Sequence, residues 1–160
     1  MKDRTIIIGI DPGTKTAGIC VLMRDADEMW RPQYLAEIVR ETADALEMAE
    51  EIIQAVGPWM GYRFRDRQVL IVVEDYRQRT GQSGAAARVL EVIGILRYVL
   101  RGNGCRVEIR QHAEWRARWM DQTMRRIAAG EPRDPWWMKQ LGEHELDAAR
   151  MAWAEVQKGD

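Results

Sequence analysis

Apolar and polar positions alternate along the chain in a pattern that predicts a meander of strands followed by alternating helices and strands. Apolar runs bounded by turn residues predict strands at 5–11, 17–24, 34–39, 68–74 and 105–109. Apolar residues at three- and four-residue spacing predict helices at 42–56, 83–102 and 143–156. This order of elements predicts an α/β fold, a mixed five-stranded sheet flanked by helices on both faces.

Two of the predicted strands end in a carboxylate. The first reads Ile-Ile-Ile-Gly-Ile and ends at Asp11, before a tight turn through Pro12 and Gly13. A carboxylate among aliphatic side chains needs a cation, a cage of hydrogen bonds or access to solvent. Glu74 also ends an apolar strand, and open α/β sheets bind ligands at the carboxyl ends of their strands. Taken singly, each residue also fits a plain structural role. Asp11 would be an acid in a strand-terminating turn, and Glu74 would be a strand-end acid that faces Arg77.

The last predicted helix carries two further candidate ligands. His144 and Asp147 are three positions apart and therefore share one face of this helix. Carboxylate oxygens and imidazole from separate elements suit a hard divalent ion, Mg²⁺ or Mn²⁺. Two such ions activate a water and stabilise the leaving oxygen when a phosphodiester is cut. The structural alternatives are a helix-capping role for His144 and pairing of Asp147 with Arg150.

Composition and charge favour one domain that binds nucleic acid. A chain of 160 residues, 46% of them hydrophobic, predicts a single domain over 1–160 with one sizeable core. The net charge of −1 hides a basic middle, because residues 61–133 hold 15 arginines, no lysine and 8 acids. Arginine binds two phosphate oxygens at once, so this pattern favours a phosphate-lined surface. The alternative is solvated helix surfaces on which arginine pairs with glutamate and aspartate.

The cysteines and the hydropathy of the chain indicate the cellular compartment in which we expect the protein. Cys20 and Cys105 have no metal-type spacing and predict buried reduced thiols rather than a disulfide. No apolar run approaches membrane-spanning length, and the charged start of the chain is unlike a secretory signal. We therefore expect a cytoplasmic protein, in a bacterial cell or in a phage-infected host, with no membrane partner.

Three motifs occur in a characteristic order. Ile-Gly-Ile-Asp-Pro-Gly-Thr around Asp11, the strand ending at Glu74 and His-Glu-Leu-Asp-Ala-Ala after Glu143 resemble the RuvC-type Holliday junction resolvases of the ribonuclease H-like nuclease superfamily. The resemblance runs from Ile6 to about Trp153. It implies a ribonuclease H-like fold and a role in DNA recombination and repair. It also implies metal-dependent hydrolysis of four-way DNA junctions by a homodimer, with paired nicks that leave 5′-phosphate and 3′-hydroxyl ends.

The resemblance assigns roles residue by residue. Asp11 and Glu74 match the carboxylates of the first and second motifs, and Asp147 matches the carboxylate of the last helix. His144 stands three positions earlier, where family members carry Asp or His, as a metal ligand or a proton shuttle. These four residues would hold two Mg²⁺ or Mn²⁺ ions. The 83–102 helix stands where the family has its dimer-forming helix, and it is apolar on more than one face.

The DNA-contact regions depart from the family pattern, and the departures favour a divergent, phage-encoded member. Arg77 replaces the family's wedge aromatic, with Tyr76 one place earlier. Arginines replace the family's lysines after the fifth strand, with Trp115 and Trp119 between them. These tryptophans either stack on unpaired bases or, if 113–128 is helical, share one buried face. The predicted DNA-contact residues are Lys15, Tyr76, Arg77, Arg79, Arg110, Arg116, Arg118, Arg125 and Arg126.

Other functions remain open at this point. A related nuclease acting on other branched DNA or on RNA, of the phage packaging or YqgF type, would share the chemistry and differ in substrate. An actin-like or sugar-kinase ATPase also opens with an Asp-Gly-Thr loop, but it needs two lobes, which 160 residues do not accommodate. A non-catalytic junction-binding protein would gain nothing from a concentration of acids where phosphates must lie.

Overall fold

The chain forms a mixed sheet covered by helices. The structure, a computed structural model, describes residues 5–24, 27, 29–60, 68–76 and 84–156. Within these residues the strands are β1 (Ile6–Asp11), β2 (Thr16–Arg24), β3 (Trp30–Val39), β4 (Val69–Asp75) and β5 (Arg106–Gln111). The helices are α1 (Ala45–Met60), α2 (Gly84–Gly102), α3 (His112–Ala128), a 3₁₀ helix (Trp136–Gln140) and α4 (Glu143–Val156).

The sheet places β1 at its centre. The strand order is β3-β2-β1-β4-β5, in which β1, β2 and β3 form an antiparallel meander. β4 runs parallel to β1, and β5 runs parallel to β4. The carboxyl ends of β1, β4 and β5 therefore meet at one edge of the sheet, where ligands bind in α/β proteins.

Alternate residues of β1 face two separate hydrophobic cores. Ile6, Ile8 and Ile10 pack with α1 and α2 on one face of the sheet. Ile7 packs on the other face, with α4 and the tryptophans of α3. A strand buried on both faces reads as a continuous apolar run, which is why this segment was the clearest strand in the sequence. The helices on both faces confirm the predicted α/β layering.

Two glycines let α4 lie directly on the sheet. A Cβ atom at Gly18 would lie 2.0 Å from the carbonyl oxygen of His144, and one at Gly9 would lie 2.2 Å from that of Ala148. Both contacts are with backbone, which cannot rotate aside, so only glycine permits this approach. The close packing fixes the first turn of α4 over β1 and β2. It thereby brings the start of α4 to the carboxyl end of β1.

The first helix is longer than the sequence predicted. α1 begins after Asp44, whose Oδ1 accepts a hydrogen bond from the backbone N–H of Glu47 at 2.9 Å. It continues through Gly57 and Pro58 to Met60, so the predicted end at this pair was wrong. The φ of proline suits a helix, and near the end of a helix its ring costs one backbone hydrogen bond. Packing of the last turn against the core offsets that loss.

The remaining predicted strands agree with the structure, except that β3 and β5 are longer than predicted, and β5 ends at Gln111 rather than at 109. β3 starts at Trp30 rather than at residue 34, because a bulge opposite Val21 and Leu22 takes the chain past Pro32. Proline is tolerated there since β3 is an edge strand. Residues 113–128, for which the sequence left a helix as one of two possibilities, are helical and belong to α3. The predicted start of α2 at residue 83 lies outside the described residues.

Neither cysteine is bonded. Cys20 is buried and Cys105 is half-buried, and both are free thiols, as predicted. Burial raises the pKa of each thiol, which keeps it protonated and unreactive at neutral pH. Over the ranges that the structure describes, no helix combines the length and apolarity that crossing a bilayer requires.

Candidate active site

Asp11 and Glu74 lie side by side at the carboxyl ends of the two central parallel strands. Ile10 pairs with Val73 across β1 and β4, so the next residue of each strand is one of the two acids. Their side chains are only 15% and 14% exposed. Two carboxylates that lie together in a site largely shielded from solvent repel each other unless a proton or a cation lies between them.

Asp11 carries the clearest sign of this crowding. Burial, followed by the negative charge of Glu74, raises the pKa of Asp11 to about 7. A hydrogen bond between the two carboxyl groups acts in the same direction, whereas the hydrogen bond with His144 opposes it. In the absence of a cation, Asp11 therefore holds a proton to much higher pH than an ordinary aspartate does.

His144 reaches Asp11 from the first turn of α4. Its Nδ1 lies 2.7 Å from Oδ2 of Asp11, and its side chain is partly open to solvent. Burial lowers the pKa of His144, but the hydrogen bond and charge of Asp11 outweigh it, with further help from Glu37 and Glu143. The net pKa of the imidazole is raised. The first turn of α4 thus places an imidazole directly on the first carboxylate.

Asp147 lies one turn further along α4 and is half-buried. Burial and then the charge of Glu74 raise its pKa, while His112 and Arg150 oppose the rise. Asp147 therefore interacts electrostatically with Glu74, although no hydrogen bond joins it to Asp11 or Glu74. The structure brings all four predicted site residues to the same edge of the sheet.

The sequence did not identify a second histidine in this site. Nδ1 of His112 lies 2.6 Å from Oε1 of Glu74, and the indole N–H of Trp115 donates to the same oxygen at 3.3 Å. The imidazole also stacks edge-on against Trp115 with ring centroids 5.0 Å apart. His112 opens α3 directly after β5, and Glu74 pairs with Arg110 in that strand. The rule that located Asp11 and Glu74 at the carboxyl ends of parallel strands applies to β5 as well, but it leads to His112 only because β5 extends to Gln111, beyond its predicted end at 109.

The donor set fits a divalent cation in chemistry and in charge. Three carboxylates and an imidazole are ligands that Mg²⁺ and Mn²⁺ accept, and the raised pKa of Asp11 marks negative charge that a cation would offset. Within the described residues, no three His, Cys, Asp or Glu side chains are already arranged around one ion position. Asp11 and Glu74 each direct an oxygen to a histidine.

Two of the predicted DNA-contact arginines hold a buried acid instead. Nε of Arg110 and Nη1 of Arg118 each lie 3.1 Å from Oε1 of Glu155, whose side chain is 1% exposed. Arg118 also pairs with Glu114 at 2.8 Å. A carboxylate as deeply buried as Glu155 needs cationic partners, so these contacts give both arginines a structural role.

Arg125 and Arg126 lie at the far end of α3. Arg125 lies thirteen positions after His112 on this helix, a distance of about 20 Å along the axis. Arg125 pairs with Asp121 at 2.9 Å, and Arg126 pairs with Glu131 at 3.0 Å. The structure does not bring these two arginines to the carboxylates. They border a groove of about 890 Å³ that several tryptophans line.

Three predicted DNA-contact residues belong to segments that adjoin the site: Arg116 in α3, Lys15 in the turn after β1 and Tyr76 directly after β4. Arg116 is exposed, and its Nη1 lies 3.4 Å from Nε2 of His112. Lys15 is exposed in the turn between β1 and β2. Tyr76 follows β4 directly and is half-buried against the core. The predicted contacts Arg77 and Arg79 lie outside the described residues.

Trp115 and Trp119 are core residues. Each is only 2% exposed, and both belong to the hydrophobic cluster between α3, α4 and the sheet. Of the two interpretations of their spacing, shared burial on one helix face is confirmed. Stacking of these two indoles on unpaired bases, the other interpretation, is wrong because neither ring face is accessible.

Comparison with known proteins identifies the fold. No protein-family model matches the chain, and no curated protein matches it in sequence. RuvC from T. thermophilus in complex with a Holliday junction substrate is similar, with a TM-score of 0.65 and 20% identity over 94% of this chain and 91% of that chain. A second Thermus thermophilus RuvC structure is similar, with a TM-score of 0.65 and 19% identity over 93% of this chain and 92% of that chain.

A eukaryotic structure is similar as well. The yeast mitochondrial Holliday junction resolvase Ydc2 has a TM-score of 0.56 and 16% identity over 94% of this chain and 75% of that chain. All three likenesses cover nearly the whole chain, although the identities are low. The chain therefore has the same fold as these RuvC and Ydc2 structures, which is the fold that its sequence predicted.

Proposed function

We propose that this protein is a metal-dependent endodeoxyribonuclease that resolves four-way DNA junctions. The observation that carries the proposal is the buried Asp11–Glu74 pair, with the pKa of Asp11 raised to about 7, at the carboxyl edge of a resolvase-like sheet. His144 and Asp147 complete the site from α4. Hydrolysis of phosphodiesters in recombining or damaged DNA, in a bacterial or phage-infected cytoplasm, is the activity that this site and fold support best.

Asp11, Glu74, His144 and Asp147 would hold two Mg²⁺ or Mn²⁺ ions. When bound, such ions lower the pKa of an attacking water and stabilise the leaving oxygen of the phosphodiester. The burial of Asp11 and Glu74 excludes bulk water and strengthens their interaction with any cation that approaches. Crowding of the carboxylates, which costs stability in the free protein, is thereby turned into affinity for a cation.

The two histidines orient the two central carboxylates. His144 holds Asp11 through Nδ1, and His112 holds Glu74 from the opposite side of the site. Trp115 donates a further hydrogen bond to Glu74 from the rigid core of α3. Groups that are fixed by surrounding hydrogen bonds before substrate arrives lose little freedom in the reaction. Either imidazole is also positioned to carry a proton at the edge of the site.

DNA reaches the carboxylates past a set of exposed cations. We infer that Arg116 and Lys15, which flank the site, bind backbone phosphates, and that Tyr76 lies beside the strand that is cut. Arg125 and Arg126 lie far enough along α3 to contact a duplex arm. Arg110 and Arg118 are still predicted to contact DNA, although both also form ion pairs with Glu155. The DNA contacts of Arg77 and Arg79 remain predictions from the sequence.

We infer a homodimer formed through α2. Leu90 is 39% exposed and Tyr98 is 84% exposed on this helix, although both are large and hydrophobic. A Cβ added at Gly94, between them, would contact nothing within 4 Å, so this surface admits a close neighbour. Two active sites related by a two-fold axis match the two-fold symmetry of a four-way junction.

Replacing Leu90 and Tyr98 together by glutamate is expected to yield a monomer. Paired charges on each copy would face each other across a two-fold interface, where burial without partners costs several kcal/mol. Sedimentation velocity measures the outcome. The matched control is Leu46→Glu, a 55% exposed leucine on α1, which is expected to remain dimeric. A double variant that sediments like the wild type would place the interface elsewhere.

In the absence of divalent ions, the free energy of unfolding is expected to fall as pH rises from 5 to 8. The pKa of Asp11 is about 7 in the folded protein, against about 3.9 when unfolded. Between these values the folded state binds more protons, so raising pH costs stability, by up to a few kcal/mol. The raised pKa of His144 acts in the same direction, because its added stability is lost as the folded imidazole deprotonates.

Millimolar Mg²⁺ is expected to reverse most of this loss at pH 8 and to have little effect at pH 5, where Asp11 is protonated. Thermal unfolding at four pH values, with and without Mg²⁺, measures both effects. Asp11→Asn serves as the control, in which the pH dependence and the Mg²⁺ effect both shrink. An equal Mg²⁺ effect at pH 5 and pH 8 would contradict a cation site at Asp11.

A panel of labelled substrates tests the proposed function. It contains a four-way junction, a Y-shaped fork, a flap, a linear duplex and an RNA–DNA hybrid, each incubated with Mg²⁺ or EDTA. We expect paired symmetric nicks in the four-way junction that require Mg²⁺, with the duplex intact. Equal cutting of forks and flaps would indicate a general branched-DNA nuclease, and cutting of RNA an RNA-processing enzyme. Tight junction binding without cutting in any metal would indicate a non-catalytic binder.

A further inference from the structure

A groove lined by tryptophans lies at the edge of the sheet opposite the carboxylates. Its volume is about 890 Å³, and four tryptophans line it, Trp30, Trp136, Trp137 and Trp153. Trp30 pairs with Arg24, whose backbone N–H donates to the carbonyl of Thr5, directly before β1. The six residues of β1 span about 20 Å, and Asp11 stands at the other end. The groove is therefore separate from the candidate active site.

The inner wall of the groove is fixed by its own packing. The rings of Trp137 and Trp153 lie edge to face with centroids 5.9 Å apart, and both pack against the hydrophobic core. The guanidinium of Arg126 lies 5.9 Å from the centroid of the Trp153 ring, and its Nε pairs with Glu131 at 3.0 Å. Side chains that are held in place before a ligand arrives lose little freedom on binding. This wall is thus preorganised for an occupant.

The rest of the lining is apolar and open to solvent. All seven tryptophans lie in the part of the chain that the structure describes, and only Trp136 is exposed, at 79%. Met29, which also lines the groove, is 60% exposed, and Pro32 and Pro132 lie beside it in the lining. Exposed apolar surface that is contiguous marks an interaction site, and tryptophan is frequent among the residues that dominate binding energy. Grooves lined by aromatic side chains bind extended peptide segments.

The groove is also positively charged. Three arginines line it, Arg31, Arg125 and Arg126, against a single acid, Glu131. Nη1 of Arg126 and Nε1 of Trp153 are buried and have no hydrogen-bond partner among the described residues. The positive partial charge on these two donors adds to that of the arginines. An occupant that carries acidic groups complements this charge.

We propose that this groove docks a short extended segment of another protein, in which acidic residues stand next to aromatic or proline residues. The apolar side chains of the segment pack against Trp136 and the fixed wall, and its carboxylates lie beside Arg31. Duplex DNA suits the groove less well, because most of the lining is apolar and Glu131 would face the phosphates. Since Asp11 lies at the opposite edge of the sheet, a docked partner leaves the active site open. Docking does not require that the chain cut junctions.

Selection from a phage-displayed library of random linear peptides tests the chemistry of the occupant. We expect the peptides recovered on the wild-type protein to combine acids with tryptophan, phenylalanine or proline. A recovered peptide is then synthesised with a fluorescent label, and its affinity is measured by anisotropy. Trp136→Ala is expected to weaken binding about thirtyfold, as loss of a central aromatic contact does. The matched control is Met124→Ala, which removes a 60% exposed side chain outside the groove and is expected to change affinity by about twofold or less.

Arg31→Glu tests the charge of the groove, and Lys139→Glu is its control. Both residues are exposed cations, but only Arg31 lines the groove. At low salt, we expect Arg31→Glu to weaken binding of the labelled peptide about tenfold and Lys139→Glu to weaken it by about twofold or less. The difference between the two variants is expected to shrink as salt is added, because salt screens exposed charges.

DNA and a second copy of the chain are the competing occupants. Arg125 and Arg126 are also predicted to contact a duplex arm, so junction binding, junction cutting and sedimentation velocity are measured for Trp136→Ala. We expect all three to match the wild type. Weaker binding or slower cutting of DNA by this variant would make the groove a DNA surface, and altered sedimentation would make it an interface between copies. Either result would overturn the proposal.

The peptide measurements can also overturn it. Recovery of no peptide, recovery of peptides without acids, or equal binding by the wild type and Trp136→Ala would each remove the docking site. Junction cutting by the wild type separates these failures from that of the proposed function. If the wild type binds the peptide through Trp136 and does not cut junctions, only the proposed function is wrong. If it cuts junctions and the peptide results fail, only the docking site is wrong.

Discussion

We expect Asp11→Asn to slow strand cleavage by about a thousandfold or more and to leave junction binding intact. Asparagine has nearly the same shape, but it removes one of the negative charges that would bind a cation under the proposed function. Burial, followed by the repulsion from Glu74, raises the pKa of Asp11 to about 7 in the wild type, and the substitution removes both the buried charge and this repulsion. We therefore expect the variant to be more stable than the wild type at pH 8 in EDTA while it is inactive.

Single-turnover cleavage in Mg²⁺ and junction binding in EDTA measure the two halves of this expectation. Asp121→Asn is the control, the same change at an exposed acid on α3, and it is expected to cut at the wild-type rate. A variant that is more stable but no longer cuts DNA would show that the clustered charges serve function at a cost in stability. Cutting by Asp11→Asn at a rate near that of the wild type would remove Asp11 from the chemistry.

Gly18→Ala is expected to lower both stability and activity. The added Cβ would lie 2.0 Å from the carbonyl oxygen of His144, a contact that only movement of the backbone of α4 relieves. Overpacking of this kind costs about 1–3 kcal/mol of unfolding free energy. The displaced helix also carries His144 away from Asp11, at present 2.7 Å distant. A shift of about 1 Å in a catalytic group lowers the rate about a hundredfold.

Gly57→Ala is the matched control for this substitution. Its added Cβ would contact nothing within 4 Å, and it replaces a helical glycine in α1, so it is expected to stabilise the protein by about 0.5–1 kcal/mol. Chemical denaturation and single-turnover cleavage are measured for both variants. Wild-type stability and activity in Gly18→Ala would show that α4 does not rest on β2 as the structure has it.

The sequence predicted the sheet and the four site residues because each has a local signature. β1 is buried on both faces and therefore reads as an unbroken apolar run. Asp11 and Glu74 interrupt such runs at their ends, and His144 and Asp147 have the spacing of one helix face. The structure confirms that these elements exist and that they meet at one edge of the sheet. Their role in binding metal stays a prediction that the experiments above test.

The features that the sequence did not reveal depend on contacts between distant residues. Arg110 and Arg118 bind Glu155, which lies 45 and 37 positions away along the chain. A basic residue paired with such a distant acid has the same local pattern as one that is free to bind phosphate. His112 was missed because its contact with Glu74 spans 38 positions and depends on β5 extending to Gln111 beside β4. Strand ends are the least sharply defined feature of an apolar pattern.

A supercoiled plasmid that extrudes a cruciform offers the most direct test of junction resolution at the Asp11 site. Two coordinated nicks across the extruded four-way junction convert the circle to linear DNA, whereas a single nick gives a relaxed circle. The account predicts linear product that requires Mg²⁺, ends that carry 5′-phosphates, and no linear product with Asp11→Asn. Linear DNA formed equally from a plasmid without the cruciform, or no cutting in either Mg²⁺ or Mn²⁺, would contradict it.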